Sequence, residues 1–246
     1  MAATKHTSLA EKVYLGVRDR ILSGEYPLTA PLSRRALAQQ FGVSLLPVAE
    51  ALQRLEHEGL VESRPRSGTR VRVPNPDEIR GHYVVREALE TQAARLFAEK
   101  STARQKRRLA SLARQVDALY NASPVHKMDR RHGLFDIHQA HFDFHMEIAQ
   151  AAGCKELMEA IEGNQVLIFN WLYNSAAHFD TLPPRWHEDL VAALASGDPE
   201  KADRAMRRHV RYRRDSVADR IGAYLAALDN GSPGFRGPRA KGKTRK

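Results

Sequence analysis

Cysteine is almost absent from this chain, which has a single one, Cys154, among 246 residues. One thiol cannot form a disulfide within the chain, so the cross-linked framework of small secreted domains is excluded. A chain that folds without disulfides suits a reducing compartment. The composition therefore predicts a cytoplasmic protein.

Long apolar runs are missing as well. No stretch approaches the roughly 20 apolar residues that a membrane-spanning helix needs. The opening residues MAATKHTSLAEKV contain no apolar signal core. We therefore expect neither secretion nor a membrane partner.

Acidic residues are scarce at the two ends of the chain, whose formal net charge is +10. Residues 1–75 hold 11 Lys/Arg against 7 Asp/Glu, and residues 231–246 hold 6 basic residues and no acidic one. The residues between them balance, with 22 of each sign. Basic ends around a neutral middle indicate an anionic partner such as nucleic acid, with solubility alone as the alternative.

The stretch from Leu32 to Val71 has the start and stop signals of two short helices followed by a hairpin. Ser33 and Ser44 are candidate N-caps, and Gly42 between them supplies a left-handed turn. Apolar residues then recur at helical spacing until Gly59. The predicted wing strands that follow are Leu60–Glu62 and Thr69–Val73.

A helix, a tight turn, a second helix and a two-stranded wing make up the winged helix-turn-helix plan. The second helix of this plan fits the major groove of DNA, and the wing reaches the backbone or the minor groove. The alternative is a helical hairpin in an unrelated protein.

The same stretch resembles the DNA-binding domain of the GntR family of bacterial transcription regulators. The matching residues are Leu37-Ala38, Phe41-Gly42-Val43-Ser44, Pro47-Val48, Glu50-Ala51-Leu52, Arg54-Leu55, Glu58-Gly59-Leu60-Val61, Gly68 and Val71. The resemblance implies a regulator that binds double-stranded DNA.

The predicted DNA-contacting residues depart from the family at two positions. The family usually has an arginine just after the capping serine and another four residues later, where this chain has Leu45 and Ala49. Arginine is the commonest reader of guanine edges, so we expect a different operator sequence, weaker binding, or base contacts made by other groups. For each remaining arginine, the alternative to a DNA contact is an ordinary solvated surface charge. The predicted DNA-binding set is Arg34, Arg35, Ser44, Leu45, Leu46, Ala49, Arg64, Arg66, Gly68 and Arg70.

The rest of the chain is predicted to be helical. Pro74-Asn75-Pro76 marks a boundary, and Asp77 is the expected cap of the next helix. Apolar residues recur at three- and four-residue spacing, which predicts helices at 78–99, 102–121, 128–152, 154–178, 184–196 and 199–229. The predicted fold is mainly α: a winged helix-turn-helix of three helices, the first at Leu9–Ser23, and then an antiparallel bundle of six or seven helices. The predicted divisions are a disordered N-terminus at 1–8, the head at 9–75, the bundle at 76–230 and a basic disordered tail at 231–246.

The predicted bundle resembles the FCD domain, the all-helical ligand-binding domain of the FadR-type branch of this family. The matching residues are Arg86, Glu90, Ala93-Ala94, Phe144-His145, Ala149, Ala151-Ala152-Gly153, His187, Ala193, Gly197-Asp198, Ala202, Met206 and His209. The resemblance implies a domain that binds an effector and forms a homodimer.

Four histidines form a candidate metal site. His141 and His145 share one helix face, and the bundle can bring His187 and His209 to the same depth. Imidazoles suit divalent metals such as zinc and nickel, although a lone helical histidine is more often a surface or core residue. In the metal-binding subgroup of the family, the ligands match His145, His187 and His209, and an aspartate usually stands where this chain has His141. An all-histidine set favours zinc, or nickel, over manganese.

Arg86 is the predicted effector-binding residue. The resemblance implies that it points into the cavity and pairs with a small carboxylate. Its alternative is an ordinary ion pair with Glu90 on the same helix. Further candidate lining residues, with packing as their alternative, are Asn164, Asn170, Trp171, Tyr173 and Asn174.

These observations predict a ligand-responsive transcription regulator, not an enzyme. A single recognition helix reads few bases, which favours a homodimer on a palindromic operator, with repression relieved by the effector. One alternative is an architectural or ligand-insensitive DNA-binding protein with a degenerate effector site. The other is a histidine-metal hydrolase in which Glu147 or Glu188 serves as general base.

Overall fold

In the computed structural model of the chain, the structure describes residues 8–122, 132–175 and 182–229. The predicted basic tail and residues 1–7 lie outside the described residues. The first part is a small head with three helices and a sheet. Its elements are α1 (Leu9–Leu22), β1 (Pro31–Leu32), α2 (Arg34–Phe41), α3 (Leu45–His57), β2 (Val61–Arg64) and β3 (Gly68–Val71).

Local capping explains the turn between α2 and α3. The Ser33 hydroxyl accepts a hydrogen bond from the Ala36 amide at 3.3 Å, and Gly42 has a φ of 66° in the left-handed region. These two predictions are confirmed. Ser44 stands at the N-cap position of α3, but its side chain makes no capping hydrogen bond there. The predicted N-cap position of Ser44 is therefore confirmed, but the side-chain hydrogen bond of a capping serine is absent.

The wing is a three-stranded antiparallel sheet, where the sequence predicted two strands. The strand order is β1-β3-β2, with Leu32 opposite Thr69 and Val61 opposite Val71. The added strand β1 has only two residues and begins at a proline, so it carries no alternating pattern. It ties the loop before α2 to the wing.

The second part is a helical bundle with seven helices in its described residues. The helices are α4 (Pro76–Lys100), α5 (Ala103–Ala122), α6 (His132–Ala151), α7 (Lys155–Ser175), α8 (Trp186–Leu194), α9 (Pro199–Arg211) and α10 (Arg214–Asp229). The predicted helix 199–229 is in fact two helices, since the chain turns at residues 212–213.

Asn75, not Asp77, is the N-cap of α4, which corrects the predicted cap. Asn75 and Glu78 form a reciprocal capping box, and Pro76 occupies the first helical turn. A proline fits there because its missing amide would have no helical partner. The helix therefore begins two residues earlier than predicted.

Helix α4 is the central element of the bundle and packs on α6, α7, α9 and α10. Its buried face includes Tyr83 and Phe97. In the head, α1 and α3 pack together through Val13, Val17 and Leu55, all of which are fully buried. Helix α1 also contacts α7, so the head lies against the bundle. Among the described residues, none of the helices has the length and apolar character to cross a bilayer.

Candidate functional site

The bundle brings the four predicted histidines together. His141 and His145 come from α6, His187 from α8 and His209 from α9. The ring of His141 lies with its centroid 4.5 Å from that of His145 and 5.1 Å from that of His187. The ring of His209 lies 5.1 Å from those of His145 and His187. Ligand atoms of His141, His145 and His209 all lie within 4.8 Å of one another.

His145 is the centre of this cluster. Its Nε2 atom lies 3.2 Å from Nε2 of His141, 3.2 Å from Nε2 of His209 and 3.1 Å from a guanidinium nitrogen of Arg86. A neutral imidazole nitrogen has one lone pair, so it cannot accept three hydrogen bonds at once. The nitrogens are therefore gathered more closely than hydrogen bonding among them explains.

Two buried carboxylates orient the rings. Asp117 on α5 lies with Oδ1 2.6 Å from Nδ1 of His187 and accepts backbone hydrogen bonds from residues 187 and 188. Glu90 on α4 lies with Oε2 2.6 Å from Nδ1 of His145. Carboxylates that hold one ring nitrogen leave the other nitrogen to bind a metal. His187 fits this pattern, because its buried Nε2 has no hydrogen-bond partner among the described residues.

Arg86 forms the buried ion pair with Glu90 that was its alternative interpretation from the sequence. Its Nε donates to Glu90 Oε1 at 2.7 Å, and both side chains are buried. Its second arm simultaneously contacts His145. Burial alone would raise the pKa of Glu90, but the charge of Arg86 and the hydrogen bond from His145 hold that pKa well below its usual range. Glu90 is therefore an anion that joins the arginine to the histidine cluster.

Burial favours the neutral form of the four rings. Burial lowers the pKa of all four histidines, and for His141 and His209 the neighbouring rings and Arg86 lower it further. Glu90 opposes the effect of burial on the pKa of His145, and Asp117 does so for His187. Neutral imidazole is the state that binds a metal.

Three of the four predicted ligands, His141, His145 and His209, fit a divalent metal, whereas His187 is not in the group whose ligand atoms converge. For metal–nitrogen bonds of about 2.0–2.1 Å, a tetrahedral site places its ligand nitrogens roughly 3.3–3.4 Å apart. The separations of 3.2 Å around His145 Nε2 are close to that spacing. Imidazole rings with carboxylates behind them are typical of divalent metal sites in proteins.

Other candidate residues play different parts. His138 is buried, but it is outside the group of three histidines with converging ligand atoms in the described residues. Asn164 contacts His82. Glu147 pairs with Arg108 at 2.7 Å and Glu188 lies 3.7 Å from Arg185, so neither carboxylate is held for general-base chemistry. The side chains of Asn170, Trp171, Tyr173 and Asn174 lie outside the described residues.

Sequence reasoning missed the role of Asp117. The apolar positions Leu109, Ala113 and Val116 place one face of α5 in the core, and Asp117 is buried on that same face. A carboxylate at a buried helical position needs a partner. This requirement is the signal from which the role of Asp117 could have been predicted. Glu90 was recognised only as an ion-pair partner of Arg86.

The recognition helix α3 presents an apolar surface at its N-terminus. Leu45 and Leu46 are 52% and 67% exposed. Ser44 is exposed, and Ala49 is half-buried one turn later. No arginine occupies this end of the helix, so its exposed groups are methyl groups and one hydroxyl.

Basic residues surround this surface on α2 and on the wing. Arg34 and Arg35 are exposed at the start of α2, and Arg34 lines a groove of about 320 Å³ together with Arg64 and Gly68 of the wing. Arg66 lies in the turn between β2 and β3, with a φ of 64°. Arg64 and Arg70 share the carboxylate of Glu62, at 3.4 and 2.5 Å. The wing and α2 thus form a positively charged rim around the end of α3.

Two families match the chain. The family described as "Bacterial regulatory proteins, gntR family" matches residues 9–71, and the FCD domain matches residues 82–212. The HTH-type transcriptional repressor RspR of Escherichia coli is 30% identical over 214 residues, which cover 84% of this chain and 88% of that protein. A probable D-xylose utilization operon transcriptional repressor of Paenarthrobacter nicotinovorans is 31% identical over 226 residues, covering 90% and 94%.

Solved structures show the same fold. A putative GntR transcriptional regulator from a Rhodococcus species superposes with a TM-score of 0.69 at 22% identity, covering 87% of this chain and 98% of that one. Escherichia coli McbR/YncC superposes with a TM-score of 0.61 at 22% identity, covering 91% and 98%. The matched families are transcription regulators, not enzymes. The chain therefore belongs to the gntR family of bacterial regulatory proteins, in the branch with an FCD domain, and is a DNA-binding transcription regulator.

Proposed function

We propose that this regulator is a repressor whose operator affinity is controlled by a small carboxylate bound beside a zinc or nickel ion in the bundle. The observation that carries this proposal is the convergence of His141, His209 and Arg86 on Nε2 of His145. His187 would be the fourth ligand, because its Nε2 is buried and Asp117 fixes its other nitrogen. The metal, when bound, supplies a positive centre that an anionic ligand can coordinate.

Charge in the site favours an anionic effector. Glu90 and Asp117 offset the cations Arg86 and Arg213, both of which lower the pKa of nearby histidines. Four neutral rings add nothing, so a divalent ion leaves the buried site about two charges positive. Buried uncompensated charge is costly. A mono- or dicarboxylate between Arg86 and the metal reduces this excess and accepts the guanidinium hydrogen bonds.

The head accounts for operator binding. The exposed methyl groups of Leu45 and Leu46 suit the thymine methyl in the major groove. Arg35, which is exposed at the start of α2, is assigned to base edges or phosphates beside them. Contacts to the phosphate backbone come from the rim. The residues that we assign to the backbone are Arg34, Ser44, Arg64, Arg66, Gly68 and Arg70.

We further propose a homodimer on a palindromic operator. One recognition helix with few polar base-reading groups gives little discrimination, and two-fold symmetry doubles the sequence that is read. An effector that binds one head orientation more tightly shifts the population toward it and changes operator affinity. The names of two relatives contain the word repressor, which favours this sign of regulation.

The test begins with selection of DNA from a random duplex library by the chelator-treated protein. Operator affinity is then measured with zinc and with acetate, lactate, malate and citrate in turn, while light scattering gives the mass of the particle in solution. A recurrent palindrome, a dimer and an affinity that falls at least fivefold with zinc and one acid support the proposal. If neither the melting temperature nor the operator affinity changes with chelator or with any of the four acids, the result instead favours a ligand-insensitive DNA-binding protein.

A further inference from the structure

Helix α7 contacts the histidine site and the head within a short segment. It packs on α4 and α6 in the bundle and on α1 in the head. Asn164 and Gln165 contact α4, and Glu159, Glu162 and Gly163 line a crevice against the head.

Gln165 is the contact with the histidine site. Its side chain is 4% exposed, and its Nε2 donates to Oε1 of Glu90. The other oxygen of Glu90 lies 2.6 Å from Nδ1 of His145. Arg86 donates to the same Oε1 as Gln165. The carboxylate that positions His145 is thus also bonded to α7.

Asn164 adds a second attachment of α7 to α4. Its amide nitrogen lies 3.1 Å from Nδ1 of His82 and 3.4 Å from the His82 carbonyl oxygen. His82 and Glu90 lie on α4 about two helical turns apart. Two adjacent residues of α7 therefore fix its position against α4 at separate points.

The preceding turn of α7 faces the head across an open crevice. Glu159, Glu162 and Gly163 line one side of a space of about 240 Å³, and its other side is formed by Tyr14, Arg18, Arg54 and Glu58. Cations of the head thus face carboxylates of the bundle. Within the described part of the chain, no ion pair crosses this gap.

Arg54 connects the crevice to the recognition helix. It lies in the last turn of α3 and forms ion pairs with Glu11 at 2.6 Å and Glu58 at 3.2 Å. Its guanidinium lies 3.5 Å from the centre of the Tyr14 ring on α1. A change in the position of α7 alters the field at Arg54 and Arg18, and with it the preferred placement of α1 and α3.

We propose that Gln165 is a positioning residue that couples the histidine site to the orientation of the head. When occupancy of the site moves His145 and Glu90, the hydrogen bond of Gln165 moves α7, and the charges of Glu159 and Glu162 shift relative to the head. This inference rests on the proposed regulatory function and names its route. Discrete contacts between packed elements are the physical basis for such coupling.

The test uses the full chain with two spin labels, one on the native Cys154 before α7 and one on an Asp19→Cys substitution on the exposed side of α1. The distance distribution between the labels is measured by pulsed electron resonance in chelator and in zinc at a concentration that saturates each variant. Zinc affinity is measured separately by competition with a chromophoric chelator. Gln165→Met removes the hydrogen bond at similar volume, and Gln92→Met, at an exposed position of α4, is the matched control.

We expect zinc to shift the mean distance in the parent and in Gln92→Met, but not in zinc-saturated Gln165→Met. An equal shift in Gln165→Met, or no shift in a parent that binds zinc, would overturn the coupling. If the parent binds no zinc, the metal site is refuted, and the coupling is then tested by the distances measured in chelator. In chelator, the coupling requires a broader distance distribution for Gln165→Met than for Gln92→Met. Equal distributions for the two variants would reject the coupling.

Discussion

Arg86 and His145 are in direct contact, with a guanidinium nitrogen 3.1 Å from the ring Nε2. The same nitrogen of His145 is the one that a metal would use, since its Nδ1 faces Glu90. The arginine therefore competes with a metal for one lone pair until an anion takes its place. Under the proposed function, Arg86 would therefore respond to the anion and would oppose metal binding when no anion is present.

We predict that Arg86→Met abolishes the response of operator affinity to carboxylates while zinc still binds at least as tightly as in the parent. The substitution removes a competing donor and a nearby positive charge. It also leaves Glu90 with less compensation, so the free energy of unfolding falls by about 3 kcal/mol or more. Zinc titration and chemical denaturation measure the two effects.

A double variant separates the two consequences. Glu90→Gln combined with Arg86→Met removes both charges of the buried pair, and we expect it to regain part of the lost stability without regaining the carboxylate response. A double variant that still responds to carboxylates would show that Arg86 does not bind the effector.

Local signals in the sequence were sufficient for the turn between α2 and α3. The hydrogen bond of Ser33 and the left-handed conformation of Gly42 depend on residues within one turn, so sequence alone predicts them. Strand β1 could not be predicted, because Leu32 pairs with Thr69 far along the chain and two residues carry no period. The choice of Asn75 over Asp77 as a cap depends on where Pro76 sits in the helix.

The candidate site also has one part that local sequence signals predict and another part that they do not. Helical spacing places His141 beside His145, and the family resemblance adds His187 and His209. The carboxylates behind them are set by tertiary packing: Asp117 and His187 are 70 positions apart. The contact between Gln165 and Glu90 spans 75 positions. Periodicity shows that such residues are buried, but not which partner they meet.

Asp117→Asn tests the orientation of His187. The substitution keeps one oxygen for the backbone amides of residues 187 and 188 but removes the charge that fixes the ring. We predict a loss of zinc affinity of about 10- to 100-fold, the usual effect of removing a carboxylate that supports a ligand. Asp189→Asn, on the exposed side of α8, is the control. Equal zinc affinities for these two variants would exclude His187 as a ligand supported by Asp117.

Ser33 and Ser44 occupy equivalent N-cap positions and separate stability from DNA binding. Ser33→Ala removes a capping hydrogen bond, so the free energy of unfolding should fall by about 1 kcal/mol. Ser44 has no such bond, and its exposed hydroxyl is available to a phosphate. We predict that Ser44→Ala changes stability little but weakens operator binding about fivefold, which corresponds to a hydrogen bond of about 1 kcal/mol. Denaturation and operator titration of both variants make the comparison. The reverse pattern would contradict the assignment of Ser44 to the DNA surface.

We expect the side chain at position 45 to determine which base is preferred in the operator. Its exposed methyl groups can contact a thymine methyl, whereas an arginine at this position can donate two hydrogen bonds to guanine. We predict that Leu45→Arg changes the sequence selected from a random duplex library, with guanine enriched at one position of each half-site. The expected preference is about 1–3 kcal/mol, or roughly 5- to 150-fold.

The control for this prediction is Val84→Arg, which adds the same charge at a position on α4 that is 62% exposed and outside the head. A gain in charge alone raises affinity for all duplexes and steepens the salt dependence, without changing the selected sequence. If Leu45→Arg behaves like Val84→Arg, position 45 does not face the bases. If the guanine preference appears only in Leu45→Arg, the N-terminus of α3 reads the operator. The apolar pair Leu45 and Leu46 then accounts for the operator preference of this regulator.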